Sequence, residues 1–148
     1  MVITMKIEIK RLTKTAVLPV RGSAAAAGYD LCADIAEPIS LLPGEAVKVD
    51  IGIAVAIPEG YFGGVFARSG ISTKKGLRPA NCTGVIDADY RGPLMVPLYN
   101  DSEKIRTIEP GERIAQLIIL PCLTADFIEV ETLGETERGG NGFGSTGQ

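Results

Sequence analysis

Val47-Lys48-Val49-Asp50-Ile51-Gly52-Ile53-Ala54-Val55-Ala56-Ile57 puts a β-branched apolar residue at every odd position and Lys, Asp, Gly or Ala at the even ones. Side chains alternate between the faces of an extended chain, so the run predicts a half-buried strand from Val47 to Ile57. Upstream, Met5, Ile7 and Ile9 alternate with Lys6, Glu8 and Lys10 in a shorter version of the pattern. Downstream, Tyr61 to Ala67 is a candidate strand after the turn Pro58-Glu59-Gly60. Turn signals recur at Pro43-Gly44, Gly92-Pro93 and Pro110-Gly111, with an apolar run between most of them. Many short strands with regular turns predict an all-β sandwich, jelly roll or barrel. Helix signals are few. Ser69 to Gly76 has room for one or two turns, and Arg113 to Leu120 reads as a short helix or a strand buried on both faces. Flanking Gly111 and Pro121, with the Ile118-Ile119 pair, favour the strand.

A chain of 148 residues is long enough for one core, and no composition break marks a linker. The folded domain is expected over 1–133, with 134–148 as a glycine-rich arm. The net charge of −3 and the absence of a long basic run give no field to attract nucleic acid or anionic lipid, so neither is an expected partner. Any bound phosphate must be met locally. The first ten residues lack the apolar region of a signal peptide, and no stretch has the length of a membrane span. A soluble, cytoplasmic protein is expected. There is no histidine, which removes Ser-His and Cys-His pairs, His-based zinc sites and imidazole bases. Protons must then move through a carboxylate, Lys, Tyr or Cys. Cys32, Cys82 and Cys122 form no C-x-x-C and read as buried small thiols.

Five segments break the strand pattern with polar or glycine residues. Ala27-Gly28-Tyr29-Asp30-Leu31 sets one acid among small and apolar residues, as an ordinary turn former or a site group. Ala67-Arg68-Ser69-Gly70-Ile71-Ser72 can present guanidinium, hydroxyl and backbone N–H groups to a phosphate. Asn81-Cys82-Thr83-Gly84-Val85-Ile86-Asp87-Ala88-Asp89-Tyr90-Arg91-Gly92 carries two aspartates that point the same way if the segment is extended, whereas a turn between them separates their roles. One of them can serve as a base for a water beside a metal-bound polyphosphate; the plainer reading is a hairpin loop kept wet by its charges. Gln116 is a neutral amide inside the apolar run Ile114 to Leu120, so it either satisfies core backbone or faces a site. The last eleven residues, Arg138 to Gln148, hold five glycines, Arg138, Phe143, Ser145 and Thr146. Such a segment buries no core and is expected to be a mobile end, yet it offers a phosphate fork, hydroxyl donors and a stacking face.

In this order and spacing the five segments resemble the five motifs of the trimeric dUTPases, the deoxyuridine triphosphate nucleotidohydrolases, over essentially the whole chain. The third motif is Gly84 to Gly92, the fourth Gly111-Glu112-Arg113-Ile114-Ala115-Gln116-Leu117, and the fifth Arg138-Gly139 through Gly147. The resemblance implies a jelly-roll-like β-barrel with at most one short helix, closing as a homotrimer whose active sites draw on all three subunits. It implies hydrolysis of dUTP to dUMP and pyrophosphate, which limits uracil in DNA and supplies dUMP for dTMP synthesis.

By the same resemblance, Asp87 would activate the water that attacks the α-phosphorus. Tyr90 would pack under the deoxyribose and leave no room for a 2′-hydroxyl. Asn81 and the backbone from Gly84 and Val85 onward would pair with the uracil edge, with Met95 also in contact with substrate. Arg68, Ser69, Gly70 and Gln116 would hold the phosphates, and Asp30 would help position Mg2+ through its waters. Arg138, Ser145 and Thr146 would reach the γ-phosphate, while Phe143, followed by Gly144, would stack over the base. The related dCTP deaminases share the fold and part of the hairpin, but that activity needs a glutamate in the next strand. Here that strand reads Leu94-Met95-Val96-Pro97-Leu98-Tyr99-Asn100 and has none.

Overall fold

The computed structural model of the chain describes residues 4–142. In chain order these form β1 (Glu8–Arg11), β2 (Val20–Arg21), β3 (Tyr29–Cys32), β4 (Ile39–Leu41), β5 (Ala46–Asp50), β6 (Ile53–Ala56), β7 (Tyr61–Phe66), α1 (Ser69–Lys75), β8 (Leu77–Pro79), β9 (Gly84–Ile86), β10 (Met95–Asn100), β11 (Arg106–Ile108) and β12 (Arg113–Pro121). The strands make a five-stranded sheet, β2-β3-β12-β7-β9, a three-stranded sheet, β5-β10-β8, and the pairs β1-β6 and β11-β4. Every pairing is antiparallel. The mostly-β expectation with one short helix therefore holds, but the described strands form four sheets and not a closed barrel.

The opening run is buried as its alternation requires: Val49, Ile51, Ile53, Val55 and Ile57 all lie in the core. It is not one strand, however. Gly52 takes φ +70°, and a Cβ there would collide with the Asp34 carboxylate. The left-handed residue turns the chain, so β5 pairs with β10 while β6 pairs with β1. Thr13 Oγ1 and Thr15 Oγ1 donate to Asp34 at 2.5 and 2.6 Å, which seats the N-terminal segment beside that break. The first strand also starts later than its alternation suggests, at Glu8, leaving Met5 and Ile7 outside it.

Arg113–Pro121 is a strand with Ile114, Ala115 and Leu117 buried; it is the centre of its sheet, with neighbours on both edges. Residues 114–120 are all buried or half-buried, on both faces of the strand, which is why the sequence carries no alternation. Gly76, at φ 67°, caps α1 by donating its N–H to Ile71 and Ser72 carbonyls. The single buried polar side chain described, Asn100, is fully engaged: Nδ2 donates to Leu41 O at 3.0 Å and Lys104 O at 2.8 Å, while Oδ1 accepts from Ser102 N–H and Oγ. Beyond Pro121 the described residues form no strand or helix, and Leu123, Phe127 and Ile128 are 98%, 97% and 83% exposed. No helix among the described residues is long and apolar enough to cross a membrane.

Candidate active site

β9 lies at the edge of the five-stranded sheet, paired with β7 through Val65↔Gly84, Gly64↔Val85 and Gly63↔Ile86. Its other edge thus carries backbone donors and acceptors that no strand among the described residues uses. The chain reaches this edge through an unusual bend. Cys82 adopts φ 61°, left-handed for a residue with a Cβ, while Cys82 N–H donates to Pro79 O at 3.0 Å. A conformation of that kind costs roughly 1–2 kcal/mol and is held by its surroundings. Its effect is to bring Asn81 and Gly84 to one side. A Cβ on Gly84 would stand 3.2 Å from Val65 Cβ and 3.4 Å from Asn81 Nδ2, so glycine leaves the Asn81 amide undisturbed.

After Ile86 the chain turns. Tyr90 N–H donates to Asp87 O at 3.2 Å, closing a turn across Ala88 and Asp89. The two aspartates are therefore not neighbours on one face of an extended segment, and their roles separate. The Arg91 guanidinium ties the turn by donating to Ala88 O at 2.6 Å and Tyr90 O at 2.9 Å. Tyr90 Oη donates to Pro93 O at 2.9 Å, which fixes the far end of the ring. The chain then enters β10 in the other sheet.

Between the two sheets lies a cavity of about 280 Å³, lined by Asn81, Gly84, Val85, Ile86, Asp87, Tyr90 and Met95, with Lys48, Val65, Pro93, Leu94 and Pro97. Six of the expected site residues thus meet in one place, and Asp87 is exposed at it. A wall of apolar side chains with a few convergent polar groups suits a small organic ligand.

A second cluster forms where β3, β7 and β12 meet. Gln116 pairs with Asp30 on one side and Phe66 on the other, which sets Asp30 beside the loop that follows β7. Asp30 Oδ1 accepts from Arg68 Nε at 2.7 Å and Oδ2 accepts from Arg113 Nη1 at 3.2 Å. Arg68 keeps most of its fork unpaired by carboxylate, with one Nη1 contact to Arg113 O at 3.4 Å. Gln116 Nε2 donates to Ala67 O at 2.8 Å, so the amide supports the Arg68 loop directly. A Cβ on Gly28 would collide with Gln116 Oε1, which explains the glycine there. Ser69 and Gly70 are exposed in the first turn of α1. Burial pushes the Cys32 thiol up, Asp30 adds to that, and Arg113 and Arg68 oppose it. Cys32 is accordingly a protonated packing residue. It is partly buried, but Cys82 and Cys122 are exposed, against the expectation of three buried thiols.

Arg113 carried no expected role, although it stands in the fourth segment. Its signal appears only when the register of β12 against β3 is known. Lys48 is likewise new to the cavity wall. Arg138 is described and exposed, with Nε donating to Asn141 O at 2.8 Å. Phe143, Gly144, Ser145 and Thr146 lie outside the described residues.

The two clusters do not form one pocket in a single chain. Val65 faces Gly84, and Arg68 follows at that end of β7; Asp87 extends past Ile86 at the opposite end, beside Gly63. Arg68 therefore stands toward the Asn81 side of the cavity, away from Asp87.

A family model described as dUTPase matches residues 14–147. A deoxyuridine 5'-triphosphate nucleotidohydrolase of Hydrogenobaculum sp. (strain Y04AAS1) is 44% identical over 144 residues, 97% of this chain and 99% of the relative. One of Corynebacterium diphtheriae is 49% identical over 142 residues, 95% and 92% of the two chains. A mutant dUTPase of Staphylococcus bacteriophage 80alpha, solved with dUpNHpp, superposes with a TM-score of 0.86 at 35% identity, covering 98% of this chain and all of that one (100%).

Proposed function

The chain belongs to the dUTPase family, and from that membership we propose that it hydrolyses dUTP to dUMP and pyrophosphate. The observation that carries this reading is the cavity with Asp87 exposed at one end and the unused edge of β9 along one side. In it the uracil edge pairs with the Gly84–Ile86 backbone and Asn81, and the ring lies against Val85 and Met95. A base that covers these groups and leaves them unpaired is penalised by about 1–3 kcal/mol for each. Tyr90 lies under the deoxyribose, where its ring excludes a 2′-hydroxyl.

The Asp87 carboxylate accepts a proton from a water as that water's oxygen bonds to the α-phosphorus. The bond from the α-phosphorus to the bridging oxygen breaks, and pyrophosphate leaves with the electron pair. Such a reaction needs in-line geometry and charge neutralisation more than covalent help, so the lack of histidine costs it nothing. Arg68, Ser69, Gly70 and Gln116 bind phosphate oxygens, and the arm carrying Arg138, Phe143, Gly144, Ser145 and Thr146 closes over the nucleotide.

No group of three His, Cys, Asp or Glu side chains that could hold a metal stands together among the described residues, and Asp30 is already shared by two guanidinium groups. This donor set fits a hydrated Mg2+ brought in on the triphosphate, with Asp30 reaching it through water. Bound there, the ion would neutralise phosphate charge.

A homotrimer with shared sites is part of the same reading. It is supported by the separation of Arg68 from Asp87 within one chain, and by the exposed apolar stretch containing Leu123, Phe127 and Ile128. An isolated chain gains nothing from displaying those side chains to water.

The test is to incubate the protein and Mg2+ with each deoxynucleoside triphosphate and follow pyrophosphate and ammonia separately. Pyrophosphate from dUTP alone is the expected result. Ammonia from dCTP would replace this reading with a deaminase, and neither product would remove both.

A further inference from the structure

Gly92 is not a glycine for the usual reason. Its φ is not among the positive values, so its backbone conformation is open to other residues. What it lacks room for is a side chain. An ideal Cβ on Gly92 would stand 2.5 Å from Tyr90 Oη, 2.6 Å from Cζ and 2.9 Å from Cε2, and real Cβ contacts do not come that close. The ring of Tyr90 folds back over the Gly92 Cα. Tyr90 lines the cavity and Gly92 does not, so Gly92 sits behind the ring as seen from the ligand space.

The Tyr90 hydroxyl donates to Pro93 O at 2.9 Å and tethers the far end of the ring, while the Tyr90 backbone N–H donates to Asp87 O at 3.2 Å and fixes the turn that carries it. The ring can yield only by turning about its own side-chain bonds, at the cost of the hydroxyl tether. The Arg91 fork holds the turn from outside through Ala88 O and Tyr90 O. A methyl group at position 92 must therefore break the hydroxyl tether and displace the ring from its seat in the cavity wall.

We infer that Gly92 is a positioning residue that seats the Tyr90 ring and thereby sets discrimination between deoxyribose and ribose. The inference rests on the proposed role of Tyr90 beneath the sugar. Asp87 is displaced less, because the ring moves about its own side-chain bonds. The effect then falls on KM and on sugar choice more than on kcat.

The experiment is a double-mutant cycle in the full chain: parent, Gly92→Ala, Tyr90→Ala and the pair, each assayed with dUTP and UTP. Gly92→Ala is expected to raise KM for dUTP by about 10- to 100-fold, change kcat less, and lower the dUTP-to-UTP ratio of kcat/KM. In the Tyr90→Ala background the same substitution should change neither KM nor the ratio, since the obstructed ring is gone. Should Gly92→Ala fail to fold, the pair should still fold, as judged by thermal melting and circular dichroism. An unchanged ratio in Gly92→Ala, additive effects in the pair, or a pair that cannot fold overturns the inference. A parent that does not turn over dUTP overturns instead the functional reading beneath it, while the melting data still report whether Gly92 and Tyr90 are coupled.

Discussion

One carboxylate, that of Asp30, holds two guanidinium groups: Arg68 through Nε at 2.7 Å and Arg113 through Nη1 at 3.2 Å. Both oxygens are engaged, and the Asp30 side chain is only 12% exposed. The acid therefore orients Arg68, leaving the outer nitrogens of its fork for the phosphate contact proposed for it.

Asp30→Asn should weaken this anchoring and cost about 1–3 kcal/mol of stability, because charge-assisted hydrogen bonds are lost in a largely covered site. KM for dUTP and the Mg2+ concentration for half-maximal rate should both rise, because Asp30 orients Arg68 and also reaches the ion through water. KM measured at saturating Mg2+ and magnesium titrations at saturating dUTP check this; an unchanged half-maximal Mg2+ concentration would confine the role of Asp30 to the arginine.

Asp87→Asn keeps the shape of the turn, since Tyr90 N–H bonds to the Asp87 backbone carbonyl and not to its side chain. Turnover should fall by about 100-fold or more while dUpNHpp still binds, because general-base help is typically worth about 10²–10⁴. Calorimetric titration alongside single-turnover rates measures both, and a retained rate would refute the base assignment.

Deleting 138–148 removes no buried residue among those described, so the truncated chain should melt within a few degrees of the full one. Its rate on dUTP should be small. Near-full activity in the truncated protein would take Arg138 and the arm out of the mechanism.

Phe127, 97% exposed in the single chain, is expected to be covered in the trimer. Native mass should be three times 15.6 kDa, and Phe127→Asp should shift it toward one chain by placing a charge in an apolar contact. Sedimentation at dilute concentration decides it, and a parent that sediments as a single chain would end the shared-site reading.

The main core strands were legible because burial alternates with the pleat: Val49 to Ile57 are inward at every odd position even though the strand breaks. The break itself was not legible, because Gly52 turns the chain beside Asp34, a contact between distant segments. The turn at Asp87 was hidden for a related reason. Asp-x-Asp reads equally as strand or loop until the pairing of β9 with β7 ends at Ile86.

By itself the sequence determined which residue types are available: a chain without histidine, five polar segments in a fixed order, and one long alternating run to anchor a β core. These are local properties, set by side-chain chemistry and by the period of an extended backbone. Only the tertiary structure decided that Arg113 meets Asp30 across 83 positions, that the Tyr90 ring rests on Gly92, and that Arg68 and Asp87 lie toward opposite ends of β9. The first and last of these follow from strand register, which is fixed by which faces pack together; the ring contact follows from the turn and the Pro93 tether, and no short stretch of chain contains that information.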